Sequence, residues 1–376
     1  MPPDLRRLKD MSARLDDLLE LGPCERSDFL EGLRQRDPAL ARLLAPAAGP
    51  ARSTRLDELL AGSIRPFDGV DVSLTGPTIG RWVLGRFIAR GASAAVWRAR
   101  AIGAATEPPV AIKIGHWQLA LDAPAHSLRT EADVLRRVAG VGVPHVHEVG
   151  VTLQGRQWLA LEHVAGARLL AHCDERRLSV QRRIELFERL ATIVGRIHES
   201  GVIHCDVKPD NVLVRDDGEP MLIDFGIAVE MHLPARSASP RIYTPGYAAP
   251  EQILGGTLTP ATDIYGLGVL LYRLLVDCFP IPFDFTDGRG VDAKTLTAPA
   301  RPLLRALQGL DGHEVDASLV AARRASSPSR LRRLLSGELD GVLERMLHKD
   351  PACRFQSIDV LIHELRRVRL GLGPLA

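Results

Sequence analysis

His204-Cys205-Asp206-Val207-Lys208-Pro209-Asp210-Asn211, with Asp224-Phe225-Gly226 after it, sets a carboxylate, an ammonium, an amide and a second carboxylate at fixed intervals. Together such groups can deprotonate a hydroxyl, neutralise a phosphate and hold Mg²⁺. Composition sharpens the reading of the lysine. Lysine and arginine total 48, yet only Lys9, Lys113, Lys208, Lys294 and Lys349 are lysines. A compact ammonium and a planar guanidinium meet a phosphate differently. A chain that otherwise uses arginine therefore has a reason for lysine at 113 and 208.

Upstream of that stretch the pattern is β-rich. Trp82-Val83-Leu84 and Ala94 to Ala99 read as two strands joined by a Gly/Ala-rich turn. Val110 to Ile114 reads as a third strand, and residues 146–151 and 157–162 as two more. A helix interrupts them at about residues 127–139. Its apolar face carries Leu128, Leu135 and Val138, with Glu131 in the middle of that face. A carboxylate facing a core needs a partner, and Lys113 on the strand before is a natural one; the alternative is that Glu131 sits at the stripe's edge in solvent. After Gly166 the chain reads as mostly helical. Gly266 to Val276 reads as a buried helix, too short to cross a membrane and interrupted by Arg273. A β-rich part followed by a helical part predicts an α+β, two-lobed fold rather than a doubly wound sheet.

At the N-terminus, leucines at 5, 8, 15, 18, 19 and 21 fall near helical spacing, and Gly22-Pro23 and Asp37-Pro38 punctuate two further helical stretches. Residues 1–62 are therefore expected to form a small helical module, either a packing appendage or dimer contact, or a site for a regulator. Residues 63–78, rich in Gly, Pro, Ser and Thr, read as a linker. Residues 282–328 form an insertion of small and polar residues, with a short helix expected at Arg301 to Leu310 and an exposed basic loop at Ala322 to Arg330. Leu339 to Met346 and Ile358 to Val368 return to amphipathic helix.

The 376 residues suffice for more than one domain, and 45% hydrophobic with 25% charged residues is ordinary for a globular protein. A net charge of +2 gives no reason to expect nucleic acid or an acidic membrane as a partner. Five scattered cysteines with no C-x-x-C pair argue against a disulfide framework or zinc cluster and for a reducing compartment. With no secretory signal at Met1 to Arg7 and no membrane-length apolar run, the expected location is the cytoplasm.

The order of Val110-Ala111-Ile112-Lys113, Glu131, His204-x-Asp206-x-Lys208-x-x-Asn211, Asp224-Phe225-Gly226 and Ala249-Pro250-Glu251 resembles that of the eukaryotic-like (Hanks-type) Ser/Thr protein kinases, bacterial members included. The likeness covers residues 79–370 and implies a small lobe over 79–165 and a larger one over 166–370. It also implies roles. Lys113 would hold the ATP α- and β-phosphates, fixed by Glu131. Asp206 would be the base for the substrate hydroxyl, and Lys208 would neutralise the transferred phosphoryl group. Asn211 and Asp224 would ligate Mg²⁺. Val96, Ala111 and Leu213 would sandwich adenine, and the backbone at Glu162 and Val164 would bind its edge, with Leu161 as gatekeeper. Asp263 would anchor the catalytic loop, while Glu251 and Arg354 would form a buried ion pair. His204, Phe225 and Leu135 would belong to an apolar column aligning the lobes. Thr244-Pro245-Gly246-Tyr247 resembles the segment that receives a protein substrate, with Thr244 touching Asp206 and Lys208; Thr244 as a phosphosite is the alternative. Lys208-Pro209 points to Ser/Thr rather than Tyr as acceptor, and self-phosphorylation is compatible with it.

Two departures stand out. The family's glycine-rich loop reads here Ala89-Arg90-Gly91-Ala92-Ser93-Ala94-Ala95-Val96, and only its middle glycine survives. Alanine restricts φ > 0 and blocks the closest backbone approach, so Gly91, Ser93 and nearby amides are left to cap the phosphates with weaker nucleotide binding. Cys205 stands where the family has an arginine that meets a phosphorylated activation-loop residue, so activity is expected not to depend strictly on phosphorylation there. The leading expectation is an ATP- and Mg²⁺-dependent kinase acting on protein Ser/Thr. The alternatives are a pseudokinase scaffold, which the altered loop favours, and a small-molecule phosphotransferase, which the Ala-Pro-Glu and Thr-Pro-Gly-Tyr segments disfavour.

Overall fold

The computed structural model describes residues 77–91, 93–104, 106–116, 127–140, 142–153, 155–231, 243–281, 290–308 and 316–369. The helical module expected at 1–62, and the linker up to residue 76, lie outside them. The described chain falls into two compact units: one closes at His163, and the other resumes at Val164 and also takes residues 130–146.

The first unit is built on a six-stranded sheet in the order β1-β2-β3-β4-β6-β5. These are Thr78–Ile79 (β1), Trp82–Arg90 (β2), Ala94–Ala101 (β3), Val110–Gly115 (β4), Val146–Val151 (β5) and Gln157–Glu162 (β6). Strand alternation gives the sheet a dry face and a second, less buried one. Trp82, Leu84, Ala99, Val110, Ile112, Ile114, Trp158 and Ala160 form one buried cluster. The residues between them, Val96, Ala111 and Lys113, occupy the other face, with Val96 opposite Lys113 and Ala111 opposite Leu161.

The second unit is mainly helical, and its first helix, α1, spans Leu128–Arg137 and begins two residues before the unit does. β7 (Ala167–Arg168) and α2 (Leu169–Glu175) lead into the 20-residue α3 (Val180–Glu199), whose N-terminus Ser179 caps by accepting from the amide of Arg182. Short strands β8 (Val202–Ile203), β9 (Val212–Val214), β10 (Pro220–Leu222) and β11 (Val229–Glu230) pair as β10-β9-β7 and β11-β8, and so frame the loops between them.

After α4 (Pro250–Leu254) comes α5 (Pro260–Val276), buried almost all round, as its apolar sequence requires. α6 (Gly290–Thr297), α7 (Leu303–Ala306), α8 (Ala317–Arg323), α9 (Pro328–Leu335), α10 (Leu339–Met346) and α11 (Ile358–Arg369) complete the unit.

The exposed basic loop expected at Ala322 to Arg330 is not what forms. α8 and α9 occupy most of that stretch, and Arg324 between them is 1% exposed. Its Nε donates to the carbonyl of Leu275 at 2.6 Å and its Nη2 to that of Leu274 at 2.9 Å. Arg183 of α3, also fully buried, donates to the carbonyls of Leu274 (3.3 Å) and Arg323 (2.8 Å) and to Asp174 (2.7 Å). α5 ends at Asp277 in the left-handed region, φ 61°, which leaves its last carbonyls without intrahelical donors. Two guanidiniums supply those donors. Burial, with the charge of Arg183 beside it, lowers the pKa of Arg324 to about 10 and still leaves it charged near neutrality.

Candidate active site

Asp263, in the first turn of α5, builds the loop that carries Asp206. Its carboxylate accepts from the backbone amides of His204 and Cys205 and from Nε2 of His198, each at 2.8 Å. The loop turns sharply because Cys205 adopts φ 67°, and Gln252 of α4 holds the Cys205 carbonyl at 2.8 Å. Gly266 makes the approach of α5 possible: a Cβ there would lie 3.0 Å from the Val207 carbonyl oxygen. Sequence reasoning passed over Gly266. Its signal was its place one turn beyond Asp263, on the side that must meet the loop.

Burial works against the charge on Asp263, but the hydrogen bond and charge of His198 and the His204 amide together hold its pKa below the ordinary carboxylate value. Burial alone lowers the pKa of His204 and keeps it neutral, and its ring meets Phe225 edge-on at 4.6 Å.

Around Asp206 the polar groups converge. Nδ2 of Asn211 donates to the Asp206 backbone carbonyl and to Asp206 Oδ2, both at 2.9 Å. Nζ of Lys208 donates to Oδ2 at 2.6 Å and to Oγ1 of Thr244 at 2.6 Å, and that hydroxyl donates onward to Oδ1 at 2.6 Å. Both carboxylate oxygens are thus engaged and the carboxylate plane is fixed. Pro209–Asn211 form a 3₁₀ turn, and the Asn211 carbonyl takes the amide of Ile223 at 2.8 Å, which ties this loop to the one carrying Asp224.

Asp224 stands at φ 69° and Gly226 follows it closely, so that a Cβ on Gly226 would meet Oδ1 of Asp224 at 3.4 Å. Glu131 of α1 is 3% exposed, and its Oε1 accepts the amide of Phe225 at 3.3 Å. The solvent alternative for Glu131 is thereby excluded. An amide turned with its nitrogen toward Asp206 presents its oxygen elsewhere, and an amide oxygen with the Asp224 carboxylate is the hard donor set that Mg²⁺ prefers.

In the first unit, Val96, Ala111 and Lys113 share a sheet face, as above. The link from β2 to β3 is tight: the Gly91 amide donates to the Ala94 carbonyl at 2.8 Å, and Nε2 of His116 lies 3.1 Å from the Gly91 carbonyl. The Ser93 carbonyl takes the His116 amide at 2.9 Å. Glu162 ends β6, Val164 opens the second unit, and Leu213 sits in β9, each half-buried.

Beyond the loop, Arg354 meets Glu251 with two hydrogen bonds, Nη1 to Oε1 at 2.8 Å and Nη2 to Oε2 at 2.9 Å, inside the second unit.

Residues 82–365 match the model of the protein kinase domain, and the chain belongs to that family. It is 33% identical over 214 residues to the Serine/threonine-protein kinase PkaB of Streptomyces coelicolor, covering 53% of this chain and 49% of that one. It is 28% identical over 302 residues to the Serine/threonine-protein kinase PknA of Mycobacterium tuberculosis, covering 78% and 63%. CBL-interacting protein kinase 12 of rice is 31% identical over 209 residues, covering 54% and 38%. The chain thus spans only about two fifths to three fifths of these relatives' own lengths.

Proposed function

We propose that this chain transfers the γ-phosphoryl group of ATP to Ser or Thr hydroxyls of proteins. One observation carries the reading: the Asp206 carboxylate is held by Asn211, Lys208 and Thr244 at once, and every side chain the transfer needs is present. In this reading Asp206 orients the acceptor hydroxyl and takes its proton, and Lys208 neutralises charge gathering on the phosphoryl oxygens. Lys113 binds the nucleotide phosphates and Glu131 positions it. Asn211 and Asp224 hold Mg²⁺, which supplies charge neutralisation on the phosphates. Val96, Ala111, Leu213 and the backbone at Glu162 and Val164 hold adenine. The Ser/Thr kinase names of the relatives support the acceptor class.

The test is transfer of labelled γ-phosphate to a Ser/Thr protein substrate, with Asp206→Asn as control. Transfer equal in wild type and control, or absent in both, defeats the reading.

A pseudokinase scaffold is the second reading, and the link at Gly91 favours it, since that amide already serves the Ala94 carbonyl. Nucleotide binding without transfer would decide for it.

Activity without activation-loop phosphorylation belongs to the same proposal. The reason is Cys205, which stands where the resemblance puts an arginine that meets an activation-loop phosphate, so a phosphate there has one cation fewer to order against. Simultaneous substitution of Ser237, Ser239 and Tyr243 should leave transfer intact; Ser237 and Ser239 lie outside the described residues. A cytoplasmic setting suits Cys173, Cys205, Cys278 and Cys353, none of which is in a disulfide. No helix among the described residues is long and apolar enough to cross a membrane. Binding of a regulator, or self-association, is assigned to residues 1–62.

A further inference from the structure

Lys349 has no part in the proposed phosphotransfer, although lysine is rare in this chain. It follows α10 and lines a cavity of about 380 Å³ within the second unit. That size lies in the range of roughly 300–1,000 Å³ that small-molecule sites occupy. Tyr272, Pro302, Leu343 and Leu347 give the cavity apolar walls. Nζ of Lys349 donates to the Thr295 carbonyl at 2.6 Å, which fixes the position of the amine. An amine that donates one N–H and is otherwise neutral keeps its lone pair for an electrophile.

Burial, with the charge of Arg354 adding to it, lowers the pKa of Lys349 to about 8. A substantial share of free amine therefore exists near neutral pH, where an ordinary lysine is almost wholly protonated. The other titratable groups on the cavity wall are Arg301, His348, Asp340 and Glu344.

We propose that Lys349 is a modification site, acylated on Nζ by a short-chain acyl thioester whose acyl group the cavity receives. The amine attacks the thioester carbonyl carbon. A C–N bond forms and the C–S bond breaks; the thiolate leaves and regains, through solvent, the proton that nitrogen loses. The product is a neutral amide that retains one N–H for the Thr295 carbonyl. The site is coupled to α4 by two routes. The Lys349 carbonyl accepts from Nη2 of Arg354 at 3.1 Å, and Arg354 is paired with Glu251 of α4. α6, whose last turn the amine holds, itself packs on α4. The proposal does not depend on phosphotransfer.

The test uses the wild-type chain with acetyl-coenzyme A and butyryl-coenzyme A in separate arms, and reads site-resolved acylation rates by peptide mass spectrometry. Lys294, exposed on α6, is the reference. At about pH 7.5 Lys349 should react at least ~10-fold faster than Lys294, its larger free-amine fraction being only partly offset by lower basicity. The ratio should be larger for butyryl than for acetyl, because the apolar walls receive the longer chain, and it should collapse in denaturant. A ratio below ~10, a ratio unaffected by unfolding, or no gain from acetyl to butyryl overturns the proposal.

Discussion

The hydroxyl of Thr244 donates to Oδ1 of Asp206 at 2.6 Å while it accepts from Lys208. Thr244 therefore helps set the orientation of the proposed base. Thr244→Val removes both bonds and should lower kcat by about 10–100-fold in a phosphotransfer assay, the scale expected when a reacting group is misaligned. Thr244→Ser should restore most of it. Thr244→Glu sets a second carboxylate against Asp206 and should be less active than the valine variant, which would also separate positioning from a phosphosite role.

Asp263 has a depressed pKa, so its stabilising contribution is present above the unfolded value of about 3.9 and is lost as pH falls through the lower folded value. Chemical denaturation of wild type and Asp263→Asn should show a constant gap from neutral pH down to roughly pH 4–5, narrowing below that. A gap that already narrows near pH 6 would count against a depressed Asp263 carboxyl as its source.

The pair between Arg354 and Glu251 is buried on both sides and reinforced by the Thr262 hydroxyl, which donates to Oε1 of Glu251 at 2.8 Å. Arg354→Met or Glu251→Met alone should cost about 3–5 kcal/mol in denaturant titrations, because each leaves the other charge buried without its partner. Replacing both with Met should cost less than either. Arg354→Lys should not rescue, since one ammonium cannot make the two-pronged contact.

Arg324→Met deletes the donors to the Leu274 and Leu275 carbonyls and should destabilise the chain by roughly 2–4 kcal/mol, about 1–3 for each buried acceptor left unpaired and less where a neighbour compensates. Arg330→Met, on an exposed side of α9, should shift the thermal midpoint little.

Much of this arrangement is legible in the residues themselves. The strands at 110–115, 146–151 and 157–162 announce themselves by alternation or by β-branched and apolar content, and the helix with Glu131 by its stripe. Asp206, Asn211 and Asp224 are tied together by short-range geometry, because loop and turn chemistry lie within a few residues of each. What failed was local reading of a long-range fact. Arg323-Arg324 among alanines and serines looks like solvated charge, and nothing nearby reveals that Arg324 enters the core to meet carbonyls of α5. The requirement lies in Asp277, whose left-handed turn strands those carbonyls. Gly266 was missed for a similar reason: a close approach between distant segments leaves no periodic trace.

The two guanidiniums that finish α5 have an implication for synthesis. Arg183 precedes that helix in the chain and is in place when it forms; Arg324 emerges well after it. A nascent chain released before residue 324 carries the most apolar helix of its larger unit with carbonyls still waiting for a donor, so that unit completes its folding late. Translation stalled or truncated ahead of α9 should therefore yield a sticky, protease-sensitive product rather than a stable small domain.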